Sequence, residues 1–419
     1  GTLRCENWKS VYVRLFERNK DTCDFSWGHQ SLTDLQNVLL VIQIALKQFT
    51  FVKKFSFLMN LTVYDVYDAI KEKEKAGLDI SITDVWGRFI SHFTFPREND
   101  DLEDSLWTDI QAIDAFKTHQ MPFPLVVALG RQPGSLVYNL ESTVVEFNPF
   151  EMGSFDPSLN AFTNLKYIGS QVTNGVANGT CVEGYDNAGF IIGTSSSLFN
   201  QYLDTLVCDA CTGLPTILKA AIKPILQKLS AETEDIATYT PNPFFKSEYS
   251  GSKNLANNDT LYLIDGGIGG EIIPLNSLAN IHRKPDVIFA FDSSRDTKGG
   301  WPNGTALVNT YERQFADQGN ATVFPYVPSA QNFLRQNLTA KPVFFGCEAK
   351  NLTGLVKNDV TPPILVYVAS RPFLSYTNTS TYKLEYSESE KLAMIQNSIE
   401  VVSRLNGTLD SDWDKCVGC

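Results

Sequence analysis

Residues 261–267 (LYLIDGG) set a single carboxylate, Asp265, between a short apolar run and a pair of glycines. Leu261 to Ile264 reads as a buried strand, because four apolar residues, with β-favouring Tyr262 and Ile264 among them, run straight into turn residues. A carboxylate delivered to a glycine-lined bend can accept a proton, and the missing Cβ atoms of Gly266 and Gly267 let backbone and ligand come close to it. The same pattern also suits an Asp that only bonds turn amides. Both readings stand at this level.

A second candidate is Gly193-Thr194-Ser195-Ser196-Ser197, which imitates the strained turn that exposes a nucleophilic serine, with Ser195 in the central place. The fifth position of such a turn carries Gly, and here it is Ser197, so capping a helix is the competing use of these hydroxyls. The four histidines, His29, His92, His119 and His282, adjoin no Ser or Asp turn motif, which leaves a Ser-His-Asp triad without positive support. H-E-x-x-H, P-loop and dinucleotide fingerprints are absent, and Gly266–Gly270 (GGIGG) has the wrong spacing for the last. No metal site and no cofactor is implied. What remains is a carboxylate base serving a hydroxyl nucleophile.

Cys208-Asp209-Ala210-Cys211 and Cys416-Val417-Gly418-Cys419 could be read as two zinc knuckles, but about two hundred residues separate them, far beyond the usual spacing of such pairs. A redox pair would need a thioredoxin-like context. Disulfides are the favoured use of the even set Cys5, Cys23, Cys181, Cys208, Cys211, Cys347, Cys416 and Cys419, as in a secreted protein. Asn placement points the same way. N-x-S/T occurs at Asn60, Asn178, Asn258, Asn303, Asn320, Asn337, Asn351, Asn378 and Asn406, and glycans there would have to lie on the surface.

The net charge of −12 argues against general affinity for nucleic acid or anionic lipid, so any lipid contact has to be local and apolar. The 419 residues, 43% of them hydrophobic and 20% charged, suffice for one large elaborated domain or two closely packed ones. The longest apolar run, Val38 to Leu46, is too short to span a membrane and reads as a core helix or strand. The start at Gly1 shows no signal peptide, which predicts that the chain begins inside a longer protein.

The elements that must position these residues are legible in part. Spacing from Val63 to Ala76 predicts an amphipathic helix ended by Gly77, and residues 80–88 predict a second, capped by Ser81 or Thr83, with Trp86 in the core. Leu125 to Leu129 and Leu136 to Phe147 read as strands, Glu146 to Glu151 and Phe155 to Pro157 as an aromatic loop region. Ala188 to Ile192 reads as a strand, Gly193 to Ser197 as a turn and Leu198 to Leu206 as a helix. Asp286 to Phe291 is a further buried strand. This alternation predicts an α/β fold, three-layered with a mostly parallel central sheet.

Six separated strings, in order along the chain, resemble the fungal lysophospholipase (phospholipase B) family, which is similar to the catalytic domain of the group IV cytosolic phospholipases. They are residues 81–88 (SITDVWGR), 122–125 (PFPL) with 131–134 (RQPG), 146–151 (EFNPFE), 186–201 (DNAGFIIGTSSSLFNQ), 263–267 (LIDGG) leading to Ile273-Pro274-Leu275, and 286–294 (DVIFAFDSS) with 301–305 (WPNGT). The resemblance implies that residues 63–419 form the catalytic domain in part, with 1–62 a poorly matching segment of the same domain. It implies a carboxylic ester hydrolase in which a Ser-Asp dyad, without His, cleaves fatty acyl esters of lysophospholipids and phospholipids at a membrane or micelle surface. Asp265 falls on the dyad aspartate. The family's nucleophile lies in a Gly-x-Ser-Gly-Gly-Ser-Trp stretch ahead of a Gly-Thr-Leu-like segment and an Asn-Trp. This chain opens with Gly1-Thr2-Leu3 and Asn7-Trp8, so the resemblance implies a fold incomplete at its N-terminus, without nucleophile or oxyanion segment, and inactive alone. Ser195 does not fall on the nucleophile. Ile268, Gly269 and Ile272 depart from the acidic and amide residues of the family, and residues 17–60 do not resemble it. These departures carry the alternative of a catalytically dead, secreted lipid-binding glycoprotein. A secreted or cell-surface location, with a lipid-anchor tail past Cys419, follows from the same resemblance.

Overall fold

The computed structural model describes residues 70–94, 105–131, 140–199, 236–248, 255–348, 353–380 and 386–413. They fall into two compact units that divide the sequence between Gly269 and Gly270. The segment 1–62, the run Val38 to Leu46 and residues 201–206 lie outside the described residues.

The first unit is built on β1 (Val126–Gly130), β2 (Val144–Phe147), β3 (Glu151–Ser154), β4 (Ala161–Asn164), a small hairpin of β5 (Val172–Thr173) and β6 (Val176–Ala177), β7 (Ala237–Tyr239) and β8 (Leu261–Asp265). Six of these form one sheet in the order β4-β3-β2-β1-β8-β7, and every neighbouring pair in it is antiparallel. The α/β class holds, but the mostly parallel sheet does not. Asn148 to Phe150 is the whole link between β2 and β3, and a link of three residues can join only antiparallel strands, since a parallel pair needs a crossover of a dozen or more. Glu146 to Glu151, read from sequence as loop, is therefore a hairpin, closed by the Asn148 amide donating to the Glu151 carbonyl at 2.9 Å.

Successive residues of β1 face opposite sides of this sheet. Val127 and Leu129 pack with Val144, Ile236 and Ile264, whereas Ala128 joins Val145, Phe147, Phe190, Tyr239 and Leu263. The second set is covered by two helices, α1 (Ile82–Thr94) and α2 (Ala188–Ser195). Asp84 accepts from the Ser81 amide at 2.8 Å and the Ser81 hydroxyl at 3.0 Å, half of a capping box, and Asn187 caps α2 by accepting from the Phe190 amide at 3.1 Å. Ahead of α1, residues 70–75 are helical and Gly77 ends them at φ +78°. Residues 188–192 are helical rather than extended. Their apolar run is buried among the sheet's aromatics, and a short run buried all round has no period by which to tell helix from strand.

Three glycines let α1 and α2 touch. A Cβ on Gly189 would stand 2.0 Å from the Ser91 hydroxyl and 2.2 Å from the Gly87 carbonyl oxygen, and one on Gly87 would stand 2.7 Å from the Gly189 carbonyl oxygen. Gly193 is looser, 3.1 Å from the Gly87 Cα.

The second unit holds β9 (Val287–Asp292), β10 (Val343–Phe345) and β11 (Ile364–Ala369), with α3 (Thr305–Arg313), α4 (Ala330–Arg335) and α5 (Glu388–Ser403). Only β9 and β11 pair in parallel; β10 lies antiparallel on β11. The expected strand at 286–291 is present, though buried on one face alone: Ile288, Ala290 and Asp292 are buried while Val287, Phe289 and Phe291 are exposed. On α5 the fully buried Asn397 accepts from the amides of Phe373, Leu374 and Ser375 at 2.8, 2.9 and 3.1 Å and donates to the Arg371 carbonyl at 2.9 Å. Asn397→Ala strands four backbone groups and is expected to cost about 3 kcal/mol in urea denaturation, while Asn397→Asp, which keeps the acceptor, costs less.

Of the described cysteines, Cys347 is exposed with a free thiol, so the even set is not wholly paired. Seven of the nine N-x-S/T asparagines are described and none of the seven is buried; Asn178, Asn320, Asn337 and Asn406 are exposed. No described helix is long and apolar enough to cross a membrane.

Candidate active site

Asp265 is the last residue of β8, paired with Ala128 of β1, and the chain turns immediately through a single 3-10 turn, Gly266–Gly269. The turn is pressed onto the flank of β1. A Cβ on Gly266 would meet the Val127 side chain at 2.9 Å and one on Gly269 the Leu129 side chain at 2.1 Å, so a larger residue at either place would displace a side chain of the neighbouring strand. Gly267 has another role: its amide donates to Asp265 Oδ1 at 2.8 Å, which is the turn-amide bond of the simpler sequence reading.

The rest of the setting comes from the end of α2. Ser196 closes the helix, and Ser197–Phe199 follow as a 3-10 turn. The fully buried Ser197 hydroxyl accepts the Asp265 amide at 2.9 Å, and the Leu198 amide donates to the Asp265 carboxylate. The strings 186–201 and 263–267, both quoted for the family resemblance, are thus brought together at one carboxylate. Sequence reasoning missed both partners: the Leu198 contact is a backbone amide, which leaves no residue signature, and Ser197 reads from sequence only as part of a turn or cap.

Burial raises Asp265 to about 6, and the amides of Gly267 and Leu198 limit the rise by stabilising the charged form. The group is partly exposed and accepts from amides alone among the described residues, which leaves lone pairs for another donor. Asp292, the acid that ends β9, is different. It is buried and also raised by burial, but its oxygens are taken by the Ser294 amide at 2.9 Å, the Ser294 hydroxyl and the Tyr367 hydroxyl at 2.7 Å. Of the two, Asp265 is the one with proton-accepting capacity to spare, and its setting raises its titration to about 6.

Ser195 is not on a strained turn. It is the last residue of α2, and its hydroxyl donates to the Val127 carbonyl at 2.7 Å. The Ser196 hydroxyl accepts from Trp86 Nε1 at 3.0 Å and donates to the Ile192 carbonyl at 2.8 Å. With Ser197 on the Asp265 amide, all three hydroxyls fasten α2 to its surroundings. Of the histidines, His29 and the side chain of His92 lie outside the described residues; His282 is exposed, and is lowered by partial desolvation and then by Arg283 and Lys284. Among the described residues no three His, Cys, Asp or Glu side chains are grouped to hold a metal.

Comparison with known proteins places this geometry. The model of the lysophospholipase catalytic domain matches residues 28–419. Lysophospholipase 2 of Candida albicans is 47% identical over 352 residues, covering 84% of this chain and 57% of the relative, and lysophospholipase 1 of Saccharomyces cerevisiae is 45% identical over 360 residues, covering 85% and 53%. The lysophospholipase of Kluyveromyces lactis is 42% identical over 426 residues, covering 100% of this chain and 63% of the relative. The chain therefore spans little more than half the length of the relatives it matches. Human GIVD cytosolic phospholipase A2 shares the fold, with a TM-score of 0.61 at 17% identity over 98% of this chain and 58% of that one. By its family match, the chain belongs to the lysophospholipase catalytic domain family.

Proposed function

We propose that this chain is the larger part of a lysophospholipase that hydrolyses fatty acyl esters of lysophospholipids and phospholipids, with Asp265 as the base of a Ser-Asp dyad. The observation that carries the reading is the partly exposed Asp265 carboxylate, raised to about 6 and bonded, among the described residues, by amides alone at the junction of β8 and α2. Asp265 takes the proton of the serine hydroxyl as it attacks the ester carbonyl and gives it to the glycerol oxygen that leaves, and water then hydrolyses the acyl-enzyme to free the fatty acid and restore the serine. A carboxylate near 6 is ionised at neutral pH and is a stronger proton acceptor than an ordinary Asp. The nucleophile belongs to the family's Gly-x-Ser-Gly-Gly-Ser-Trp stretch, which does not occur within these 419 residues.

A secreted or cell-surface location is part of the same proposal, supported by seven unburied N-x-S/T sites and by the disulfide-bonded state of Cys181, with the free Cys347 counting against a full set of bridges. Grafting this chain in place of the aligned part of the Kluyveromyces lactis enzyme supplies a nucleophile and tests the base. The graft is expected to release fatty acid from lysophosphatidylcholine, with Asp265→Asn lowering kcat about 10³-fold and the 419 residues alone giving no turnover. Turnover by the graft that survives Asp265→Asn defeats the assignment.

A further inference from the structure

Three phenyl rings of the first unit form one cluster. Phe116 lies 6.1 Å from Phe123 and 6.0 Å from Phe150, and Phe123 stacks on Phe150 at 6.2 Å. Unlike the aromatics of the core, this cluster faces outward: Phe123 is 47% exposed, as is Ile113, whose carbonyl accepts from the Phe116 amide at 3.0 Å. Pro122 and Pro124 stiffen the backbone on either side of Phe123, and Gln111 donates to the Pro149 carbonyl at 2.7 Å, tying the 107–112 turn to the hairpin tip that carries Phe150.

Strand register places the cluster at the sheet end that carries Asp265. Ala128 pairs with Asp265 and Val126 with Phe147, so Phe123, ahead of β1, and Phe150, at the β2–β3 tip, both project past the sheet end at which β8 delivers the carboxylate. At about 3.3 Å per residue and 4.8 Å per strand, they lie on the order of 15 Å from it. A protein of net charge −12 gains little from anionic headgroups, so an apolar patch suits a zwitterionic surface.

We propose that Ile113, Phe116, Phe123 and Phe150 are the patch by which the molecule seats on the surface of aggregated zwitterionic phospholipid, bringing that surface to the end of the sheet that carries Asp265. The inference rests on the lysophospholipase reading, which gives a reason for lipid at that end. Its test is binding of the 419-residue chain to sucrose-loaded phosphatidylcholine vesicles, read by sedimentation. Ile113→Ser with Phe123→Ser is expected to lower the partition coefficient at least tenfold with an unchanged melting temperature, and Phe123→Trp to preserve or raise it. Unchanged partitioning of the double variant overturns the proposal. So does binding confined to phosphatidylglycerol vesicles, or a wild-type dimer that the double variant converts to monomer, which would make the patch a self-association surface. Because the readout needs no turnover, Asp265→Asn is expected to partition like wild type. If the graft keeps its activity with Asp265→Asn while vesicle binding still depends on Phe123, the base assignment fails and the docking patch stands.

Discussion

Asp265→Asn is expected to stabilise the fold by about 2 kcal/mol at pH 8 and by almost nothing at pH 4. The folded carboxyl is raised to about 6 against an ordinary value of 3.8. Between those values the unfolded chain has lost a proton that the folded chain retains, so stability falls as pH rises from about 4 to 6 and is flat above. The difference, 6 − 3.8, is about 2.2 units, which at 1.36 kcal/mol per unit gives roughly 3 kcal/mol as an upper figure; partial exposure of the group brings it nearer 2. Asparagine keeps an oxygen for the Gly267 and Leu198 amides and carries no charge to bury. Urea denaturation at the two pH values checks this. A variant less stable than wild type at pH 8 would mean that the carboxylate contributes net stability, contrary to a group held at a cost for its chemistry. In the active graft the same titration predicts kcat rising through about pH 6, with the ionised base the active form.

Gly189→Ala is expected to destabilise by about 4 kcal/mol and to lower the melting temperature by roughly 10 °C. Alanine at a helical position ordinarily gains about 1 kcal/mol over glycine, but the added carbon would stand 2.2 Å from the Gly87 carbonyl oxygen, backbone that can yield only if α1 and α2 separate. Gly193→Ala is the control. Its added carbon meets Gly87 at 3.1 Å, a contact relieved by a shift of a few tenths of an ångström, and the propensity gain leaves it within about 1 kcal/mol of wild type. Thermal melts of the two variants separate a packing requirement from propensity; equal effects would remove the crossing argument. The consequence reaches the site, because displacing α2 carries Ser197 and Leu198 away from Asp265.

Where the chain announces its own structure, it does so through local chemistry. Leu261 to Asp265, Val126 to Gly130, the α1 start at Ser81 and the stop at Gly77 follow from strand composition, proline and glycine punctuation and side-chain capping, and the structure has each of them. Pairing direction is not local. Strand and helix segments alternate along the chain, yet the decisive fact is how short the β2–β3 link is, and that was hidden by reading Glu146 to Glu151 as loop. The 188–192 segment failed for a related reason: glycine at 189 and 193 counts against a helix until α1 is seen lying against them. At the site, Asp265 was legible because an acid between an apolar run and two glycines is conspicuous. Its hydrogen-bond partners were not, since two amides and a hydroxyl kept out of the chemistry carry no mark in sequence.

The attachment of Asp265 to the residues just after α2 bears on how the gene can change. From the Asn187 cap to the Leu198 amide is barely three helical turns, with one end fixed by the glycine crossing and the other by the carboxylate. Each residue advances a helix by 100° and 1.5 Å, so adding or deleting one inside this interval would swing the amide away from its oxygen. Apart from Gly189 at the crossing and Ser197 on the Asp265 amide, side chains between 187 and 198 can drift in descendants of this sequence; the count of residues between them cannot.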